Sequence, residues 1–466
     1  MAGFFMSGSN RRTMVRKIFR TLYNSGMRTF TAITLLLLGT SSLLAQQATE
    51  WRQWRGPLAT GASPDSNPPA VWSESKNVRW KTPLPGLGHS TPIVFGKHIF
   101  ITTAIPIGPA LPPKFSGAPG AHDNLPITSR HKFTAILFNR DDGKIVWQKD
   151  LAEAVPHEGG HRTGSLASAS PVTDGKRLFA YFGSWGLYCL DLKGELIWQK
   201  TLEKMHTKHG HGEGSSPAIF DDTIVVNWDH EQQSFVVAFD TATGKEKWRV
   251  KRNEVTSWTS PIIVPVDGKP QVIIPGAERV RGYDLANGKV VWECGGLSAN
   301  VVATPVFADG IVYVASSYDT RAMMAIRLTK AAGDSTDSDH VIWSRTDRTP
   351  YVPSPLLYKN TLYFLRHYQG ILSQVEATTG RESIGPLRLS QIRNVYASPV
   401  AAADKIYVTD LEGITTVISH GLPRIVATNR LDDEIAASFA IVDDEIFIRG
   451  KKNLYCISQD TATGNR

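Results

Sequence analysis

The strongest constraint on this chain is a motif of Ser or Thr followed by Pro that recurs along most of its length. After each copy come short apolar runs with alternating polar residues, separated by Gly, Asp and Asn turns and without helical periodicity. Most copies lie 40–50 residues apart, so the chain is predicted to be a repeat protein rather than a string of unrelated domains. The motif residues are Thr91, Ser170, Ser216, Ser260, Thr304, Ser354, Ser398 and, with Phe439 in place of proline, Ser438.

Each unit holds four predicted strands, and four-stranded units of this length are typical of β-propeller blades. A single blade cannot bury both of its faces, whereas blades stacked around an axis cover one another and leave only short edges. The one long step contains the insertion PIGPALPPKFSGAPGAHDNLP at residues 106–126. The sequence therefore predicts an all-β fold, an eight-bladed β-propeller of four-stranded blades.

The two ends of the chain predict how the ring closes. The eighth unit has strand patterns near 436–442 and in EIFIRG and NLYCIS, but the chain ends before a fourth strand. Near the N-terminus, NVRWKTPL at 77–84 is a strand pattern without a unit of its own, so we expect it to supply the outer strand of blade 8. The predicted organisation is an export signal at 1–45, a lead-in segment at 46–76, the propeller at 77–460 and a tail at 461–466.

Six tryptophans occupy matching positions, and five of them follow a Gly-containing turn between the last two strands of a unit. This position lies on the outer strand, where a large ring can fill the widening wedge between neighbouring blades. The sixth and seventh units, RESIGPLRL and PRIVATNRL, lack the tryptophan, so their packing should differ. The six residues are Trp80, Trp147, Trp198, Trp248, Trp292 and Trp343.

The basic character of the chain belongs mainly to its first 45 residues. They contain six Lys and Arg and no Asp or Glu, so the net charge falls from +8 to about +2 without them. The remainder offers no sign of a nucleic-acid surface. Because the basic stretch precedes the short apolar run TFTAITLLLLGTSSLLA at 29–45, we expect an exported protein, periplasmic or extracellular. The alternative is an uncleaved signal segment, the one membrane attachment we expect.

The turns in DDGKIVWQ, ATGKEKWR and ANGKVVWE, together with WRQWRGP at 51–57, resemble the pyrroloquinoline-quinone (PQQ)-like repeat family of eight-bladed propellers. The resemblance covers nearly the whole chain after the predicted export signal. It implies one of two functions. Some members are quinoprotein dehydrogenases that hold PQQ and a calcium ion in the central funnel, whereas the propeller of outer-membrane barrel assembly acts through protein contacts. The fold alone does not decide between them.

Departures from the dehydrogenase pattern favour the non-catalytic branch. The three cysteines, Cys189, Cys294 and Cys456, include no adjacent pair such as many of the dehydrogenases carry over the cofactor. The sequence also shows no clear set of Glu, Asn and Asp for calcium and a base, so no catalytic residue can be carried over. We therefore expect a non-catalytic binding or scaffold protein without a cofactor. A PQQ-dependent dehydrogenase with calcium is the alternative.

The segment KMHTKHGHGEGSSP at 204–217 concentrates histidine. In a propeller, the connections between blades and the loops between second and third strands share one face, which we call the loop face. Eight of the 13 histidines map to the loop face of blades 1 to 3, at positions 89, 122, 157, 161, 206, 209, 211 and 230. Imidazole binds zinc or copper, so a metal-dependent enzyme is a second alternative. The candidate metal ligands are His206, His209, His211, Glu213 and His230.

The loop face is also the candidate surface for a protein partner or a small ligand, because loops on a rigid scaffold commonly carry function. Its tryptophans are interpreted either as exposed anchors or as caps on the funnel. Two further loop groups, Tyr318-Asp319 and His367-Tyr368, are expected to be structural. The candidate ligand-face residues are His89, His157, His161, Trp185, Trp228 and Trp258.

Overall fold

The structure, a computed structural model, describes residues 50–382 and 384–459. The predicted export signal and tail lie outside the described residues. The described residues form eight blades, each with four antiparallel strands, and the first strands of neighbouring blades lie beside one another around a central axis. The predicted eight-bladed, all-β propeller is therefore confirmed. The two helices found within the described ranges are 3₁₀ turns of three residues each, and neither could cross a membrane.

The strands of blades 1 to 4 follow one another in chain order from the axis outward. Blade 1 comprises Ile93–Phe95, His98–Ile107, Arg130–Asn139 and Ile145–Ala154. Blade 2 comprises Val172–Thr173, Arg177–Tyr181, Leu187–Asp191 and Leu196–Lys200. Blade 3 comprises Ala218–Phe220, Thr223–Trp228, Phe235–Asp240 and Glu246–Lys251. Blade 4 comprises Ile262–Val266, Lys269–Ile274, Val280–Asp284 and Val290–Cys294.

Blades 5 to 7 repeat the same order. Blade 5 comprises Val306–Ala308, Ile311–Ser316, Ala322–Arg327 and Val341–Arg345. Blade 6 comprises Leu356–Tyr358, Thr361–Phe364, Ile371–Glu376 and Leu387–Arg388. Blade 7 comprises Val400–Ala402, Lys405–Thr409, Ile414–Ser419 and Ile425–Arg430. The two 3₁₀ turns are Gly183–Trp185 and Lys208–Gly210.

Blade 8 is built from both ends of the chain. Its inner three strands are Ala440–Val442, Glu445–Arg449 and Asn453–Ile457, and its outer strand is the N-terminal Val78–Pro83. Val78–Pro83 pairs antiparallel with Asn453–Ile457, as the sequence NVRWKTPL predicted. The ring is therefore closed by a strand that precedes blade 1 in the chain.

Two short pairings were not anticipated from the sequence. Asn124–Leu125, in the blade 1 insertion, pairs with Gly160–His161 in the connection to blade 2. Gly333–Asp334, in the last loop of blade 5, adds a fifth, parallel strand to blade 4. The carboxylate of Asp334 pairs with Arg279 at 3.0 Å, which fixes this loop on the neighbouring blade.

The Ser and Thr residues of the repeated motif join neighbouring blades through their hydroxyl groups, and we call the series the hydroxyl belt. The backbone N–H of each motif residue donates to the side-chain hydroxyl of the motif residue in the next blade. The seven donor–acceptor pairs, with N···O distances of 2.8–3.3 Å, are Thr91–Ser170, Ser170–Ser216, Ser216–Ser260, Ser260–Thr304, Thr304–Ser354, Ser354–Ser398 and Ser398–Ser438. The belt ends there, because the hydroxyl of Thr91 accepts no hydrogen bond from the described residues.

In five of the eight blades, a tryptophan docks the outer strand onto the next blade. The Trp198 indole N–H donates to the backbone carbonyl of Thr241 at 3.0 Å, and the ring packs so closely on Gly244 that a Cβ there would lie 2.7 Å from it. Trp292 differs, since it donates to Gln271 of its own blade. The indole-to-carbonyl pairs between blades are Trp80–Arg140, Trp147–Leu192, Trp198–Thr241, Trp248–Leu285 and Trp343–Ala377.

The lead-in segment crosses the end of the central channel that lies opposite the loop face. Trp51 pairs with Val94 of blade 1, and Ser63 donates its N–H to the carbonyl of Ala401 in blade 7. Between them, the buried Arg55 donates to the carbonyls of Pro355 and Pro399, at 2.9 Å each. The segment therefore closes one end of the channel and leaves the loop face as the open end.

Candidate functional site

A cavity of about 490 Å³ occupies the axis of the propeller and opens at the loop face. Trp54 of the lead-in segment lines it, and the Trp54 indole N–H donates to the Thr304 hydroxyl at 2.9 Å. The hydroxyl belt surrounds the axis at this depth, through Ser170, Ser216, Ser260, Thr304, Ser354, Ser398 and Ser438. The site is thus a funnel with one mouth, a wall of hydroxyl groups and a floor made by the N-terminal lead-in.

Four histidines lie together at the mouth, on the side of blades 1 to 3, and we call them the imidazole cluster. They are His122, in the blade 1 insertion, His161, in the connection to blade 2, and His209 and His211, in the connection to blade 3. The ring centroids are 4.8 Å apart for His122–His211, 4.9 Å for His122–His209, 5.0 Å for His161–His211 and 5.4 Å for His209–His211. The sequence analysis predicted that blade topology brings histidines from separate segments together, and the structure shows this for these four.

Hydrogen bonds fix the rings of the imidazole cluster. Nδ1 of His122 donates to a carbonyl at 2.8 Å, Nδ1 of His209 donates to another at 3.2 Å, and Nε2 of His211 donates to the carbonyl of His122 at 3.2 Å. Burial lowers the pKa of His211 to about 4 and also lowers the pKa of His161. These two imidazoles are therefore neutral at pH 7.

Aromatic side chains line the opposite side of the mouth, on blades 5 to 7, and form an aromatic cluster of Tyr318, Tyr351, His367 and Tyr396. Tyr351 stacks on Tyr318 at 5.8 Å and contacts His367 at 5.3 Å, and His367 contacts Tyr396 at 5.2 Å. Burial raises the pKa of Tyr351 to about 12 and lowers that of His367 to about 4. Tyr318 and His367 were expected to be structural, yet both line the cavity.

The lining of the cavity carries little charge. Among the described residues that line it there is no Lys or Arg, and the carboxyl groups are those of Asp123 and Glu213. Glu213 accepts hydrogen bonds from the backbone N–H and the hydroxyl of Ser184, at 2.7 Å and 2.6 Å. Burial nevertheless raises the pKa of Glu213 to about 7, with a smaller contribution from the nearby Glu158.

The five predicted metal ligands are distributed over three places. His209 and His211 belong to the imidazole cluster, and Glu213 binds Ser184. His230 is buried; its Nδ1 accepts the His206 N–H at 3.3 Å and its Nε2 donates to a backbone carbonyl. The positive φ of His209, +58°, turns the connection sharply, so neighbouring side chains leave it in different directions. In the part of the chain that the structure describes, no three His, Cys, Asp or Glu side chains are arranged to hold a metal ion.

The predicted ligand-face histidines also separate into two groups. His89 and His161 line the cavity. Desolvation and the nearby Arg449 lower the pKa of His89 to about 3. His157 lies away from the axis, where its Nε2 donates to the carbonyl of Met205 at 2.7 Å.

Of the three predicted tryptophans, one borders the cavity. Trp258 lines it and donates its indole N–H to the carbonyl of Gly212 at 2.7 Å. Trp185 packs on a phenylalanine ring with centroids 5.4 Å apart. Trp228 is fully buried against Phe235, so it is a packing residue, and the alternative of an exposed anchor does not hold for it.

A second cavity, of about 40 Å³, lies between blades 2 and 3. Four buried polar atoms that face it have no hydrogen-bond partner among the described residues: the Tyr181 hydroxyl, the Ser215 hydroxyl, Oδ1 of Asn227 and Nδ1 of His157. This volume and these polar walls suit a few ordered water molecules. Glu213 borders both cavities.

Comparison with known proteins identifies the family. The sequence profile PQQ_2, described as outer membrane protein assembly factor BamB, matches residues 131–384, more than half of the chain. The chain belongs to this family. The resemblance to PQQ-like repeat propellers that the turns and tryptophans indicated is thereby confirmed. No protein sequence of curated function matches the chain.

Solved structures show the same fold at low sequence identity. BamB from Moraxella catarrhalis is 15% identical, with a TM-score of 0.52 over 76% of this chain and 98% of that one. The computationally designed protein Ika8 is 10% identical, with a TM-score of 0.51 over 80% and 100%. A europium-containing methanol dehydrogenase is 10% identical, with a TM-score of 0.47 over 89% and 92%. At these identities the first two comparisons support the fold and leave the function open.

Proposed function

We propose that this protein is a non-catalytic binding propeller whose axial cavity takes a small, uncharged, hydroxylated ring such as a saccharide. The observation that carries the proposal is the funnel itself, with one mouth, a closed floor and about 490 Å³ of space. Small-molecule sites in proteins have volumes of about 300–1,000 Å³ and combine apolar walls with a few placed polar groups. The cavity satisfies both conditions.

The lining suits both the hydroxyl groups and the apolar faces of such a ring. Each of the seven belt hydroxyls that line the cavity accepts one backbone N–H and keeps its own proton, which it can donate to an oxygen of the ligand. The flat faces of Trp258, Tyr318 and Tyr351 supply apolar contact area at the mouth. The wall thus offers hydrogen-bond donors at depth and aromatic faces near the entrance.

The residues present do not fit PQQ, the cofactor of the alternative function. PQQ carries several carboxylates, and the described lining holds the carboxyl groups of Asp123 and Glu213 without any Lys or Arg to balance them. His211 and His367, with pKa values of about 4, are neutral at pH 7 and supply no compensating charge. Burying unpaired carboxylates is costly, so the cavity favours an uncharged ligand.

We place the site of action outside the cytoplasm, periplasmic or extracellular, on the basis of the basic and apolar first 45 residues. A scaffold role through protein contact is the second candidate. The BamB family is described as an assembly factor, and Phe115 and Leu125 of the blade 1 insertion are 70% and 51% exposed. Exposed apolar side chains of this kind are common at protein interfaces.

The test is calorimetric titration of the purified chain with maltose, cellobiose and N-acetylglucosamine, and separately with PQQ. Tyr318→Ala removes an aromatic face at the mouth, whereas Tyr368→Ala is the matched control, because Tyr368 is equally exposed (50% against 49%) but lies outside the lining. We expect saturable saccharide binding that weakens about 5- to 10-fold in Tyr318→Ala and is unchanged in Tyr368→Ala.

Three other outcomes would overturn the proposal. Binding of PQQ without binding of any saccharide would support the dehydrogenase alternative despite the unfavourable charge of the lining. Saccharide affinities that Tyr318→Ala and Tyr368→Ala reduce equally would place the ligand outside the funnel. Absence of binding to all four compounds would favour protein contact at the loop face.

A further inference from the structure

We propose that the imidazole cluster, His122, His161, His209 and His211, is a binding site for a divalent transition metal, zinc in the first place. The site differs from the ligand set suggested by sequence spacing, because three separate connections contribute to it. It lies at the rim of the cavity, so its test does not depend on the proposed ligand of the funnel.

Four of the six ring pairs in the cluster have the spacing of a tetrahedral imidazole site. With Zn–N bonds of about 2.0–2.1 Å and tetrahedral angles, two ligating imidazoles hold their ring centroids about 5 Å apart. Four centroid distances in the cluster are 4.8, 4.9, 5.0 and 5.4 Å. The backbone therefore brings each of the other three rings to within this distance of His211.

The hydrogen bonds of the cluster match the pattern of ligating histidines, which commonly donate their second ring N–H to a backbone carbonyl. His122 and His209 donate through Nδ1 to the carbonyls of Gly120 and Pro119, which leaves Nε2 for a metal. His211 donates through Nε2, which leaves Nδ1. His161 departs from this pattern: its Nδ1 accepts the Thr163 N–H at 3.3 Å and lies 2.7 Å from the Thr163 hydroxyl, so its ring must change tautomer or turn before a nitrogen is free for a metal.

One acidic side chain adjoins the imidazole cluster in the chain, directly after His122. The carboxylate of Asp123 lies beside the cluster and adds favourable charge for a cation, partly offset by its pairing with Arg162 at 3.5 Å.

One movement is required for binding. The rings now meet at interplanar angles of 54–76°, with their free nitrogens not directed at a common point. Rotation of the imidazoles about their side-chain bonds would turn those nitrogens inward, at the cost of the present hydrogen bonds from His122, His209 and His211 to backbone carbonyls. Rotation of a side chain in a blade strand would displace a packed core. The four rings lie instead on connections or loops between the blade strands.

The experiment is titration of the full chain, purified without a histidine tag, with Co²⁺ and then with Zn²⁺ as competitor. Cobalt reports its own geometry, because four-coordinate Co²⁺ absorbs visible light much more strongly than six-coordinate Co²⁺. The test variant is His209→Ala/His211→Ala. The matched control is His157→Ala/His206→Ala, a pair that packs at 5.9 Å on the same face but outside the cluster.

We expect one Co²⁺ per chain with a four-coordinate spectrum, displaced by one Zn²⁺. The affinity should fall more than about 100-fold in His209→Ala/His211→Ala and remain unchanged in the control pair. Equal loss in both variants, weak binding of several ions or a six-coordinate spectrum would overturn the proposal. Should His209→Ala/His211→Ala lose the circular dichroism spectrum of the native fold, His122→Gln, on a different loop, provides the same comparison.

Discussion

Replacement of Thr304 by valine tests whether the hydroxyl belt stabilises the ring. The Thr304 hydroxyl accepts the Ser260 N–H at 3.3 Å and the Trp54 indole N–H at 2.9 Å. Valine keeps the shape of threonine but accepts neither bond. Thr91→Val is the control, since Thr91 occupies the same motif position in blade 1, is equally buried, and has a hydroxyl without a partner among the described residues.

The expected loss of stability follows from the two N–H donors that are left without an acceptor. Leaving the Ser260 N–H unpaired costs about 1–3 kcal/mol, and the Trp54 N–H costs less because it faces a cavity open to water. We therefore expect Thr304→Val to lower the free energy of unfolding by about 2–3 kcal/mol. With an unfolding entropy of about 2.1 cal/mol/K per residue over roughly 400 residues, the midpoint temperature should fall by about 2–4 °C.

Scanning calorimetry of both variants at the same protein concentration and scan rate measures this difference. Thr91→Val should lie within about 0.5 kcal/mol of the parent, or slightly above it, because it removes a buried hydroxyl that has no partner. Equal destabilisation by the two substitutions would show that the methyl-for-hydroxyl exchange itself is responsible. The belt would then be a geometric consequence of the repeat rather than a source of stability.

Two further predictions concern stability. Gly244→Ala places a Cβ 2.7 Å from the Trp198 ring and should cost about 2–4 kcal/mol in thermal unfolding, whereas Gly268→Ala, also at positive φ but with open space around it, should cost about 1–2 kcal/mol. Because the pKa of Glu213 is raised to about 7, its contribution to stability is fully present below about pH 4.5 and is lost as the pH rises through 7. In urea unfolding, the parent should lose stability between pH 5 and pH 8. Glu213→Gln should make this loss of unfolding free energy smaller by about 1–3 kcal/mol.

The fold could be predicted because the blades pack against one another in the same way and repeat the same residue types at the contact positions. The recurring turn and tryptophan mark the outer strand, and the recurring Ser/Thr-Pro marks the inner strand. The unpaired strand pattern NVRWKTPL even indicated how the ring closes. What the sequence did not reveal is why the motif residue is Ser or Thr, since recurrence shows that a residue is needed but not which atom it binds in the next blade.

Half of the candidate site was found from the sequence and half was missed. The histidines of blades 1 to 3 could be identified as a candidate site because three of them lie within six positions of one connection. The aromatic cluster places one residue in each of four separate segments, so no window of the sequence is enriched. Yet Tyr351 and Tyr396 precede the motif residues of blades 6 and 7, on the loop face by the same topological rule. Applying that rule to every blade would have placed them at the mouth.

The sequence could not predict which histidines form the imidazole cluster, for a different reason. Spacing along KMHTKHGHGEG suggests that His206, His209 and His211 act together, because they are close in the chain. The left-handed turn at His209 separates His206 from the other two, and the insertion of blade 1 brings His122 in their place. Backbone conformation within a Gly-rich connection is set by contacts with other loops, which the local sequence does not contain.

The division between repeated and unrepeated residues also predicts where stability and binding should separate. Gly244 and its tryptophan belong to the repeat and form bonds between blades, whereas Tyr318 belongs to a loop and leaves its exposed face to the mouth. Gly244→Ala should therefore lower the unfolding temperature while the folded protein keeps its saccharide affinity. Tyr318→Ala should do the reverse. Because the two sets of contacts share no residue, the effects of the double substitution should be additive in both measurements, and coupling between them would show that the blades transmit strain to the mouth.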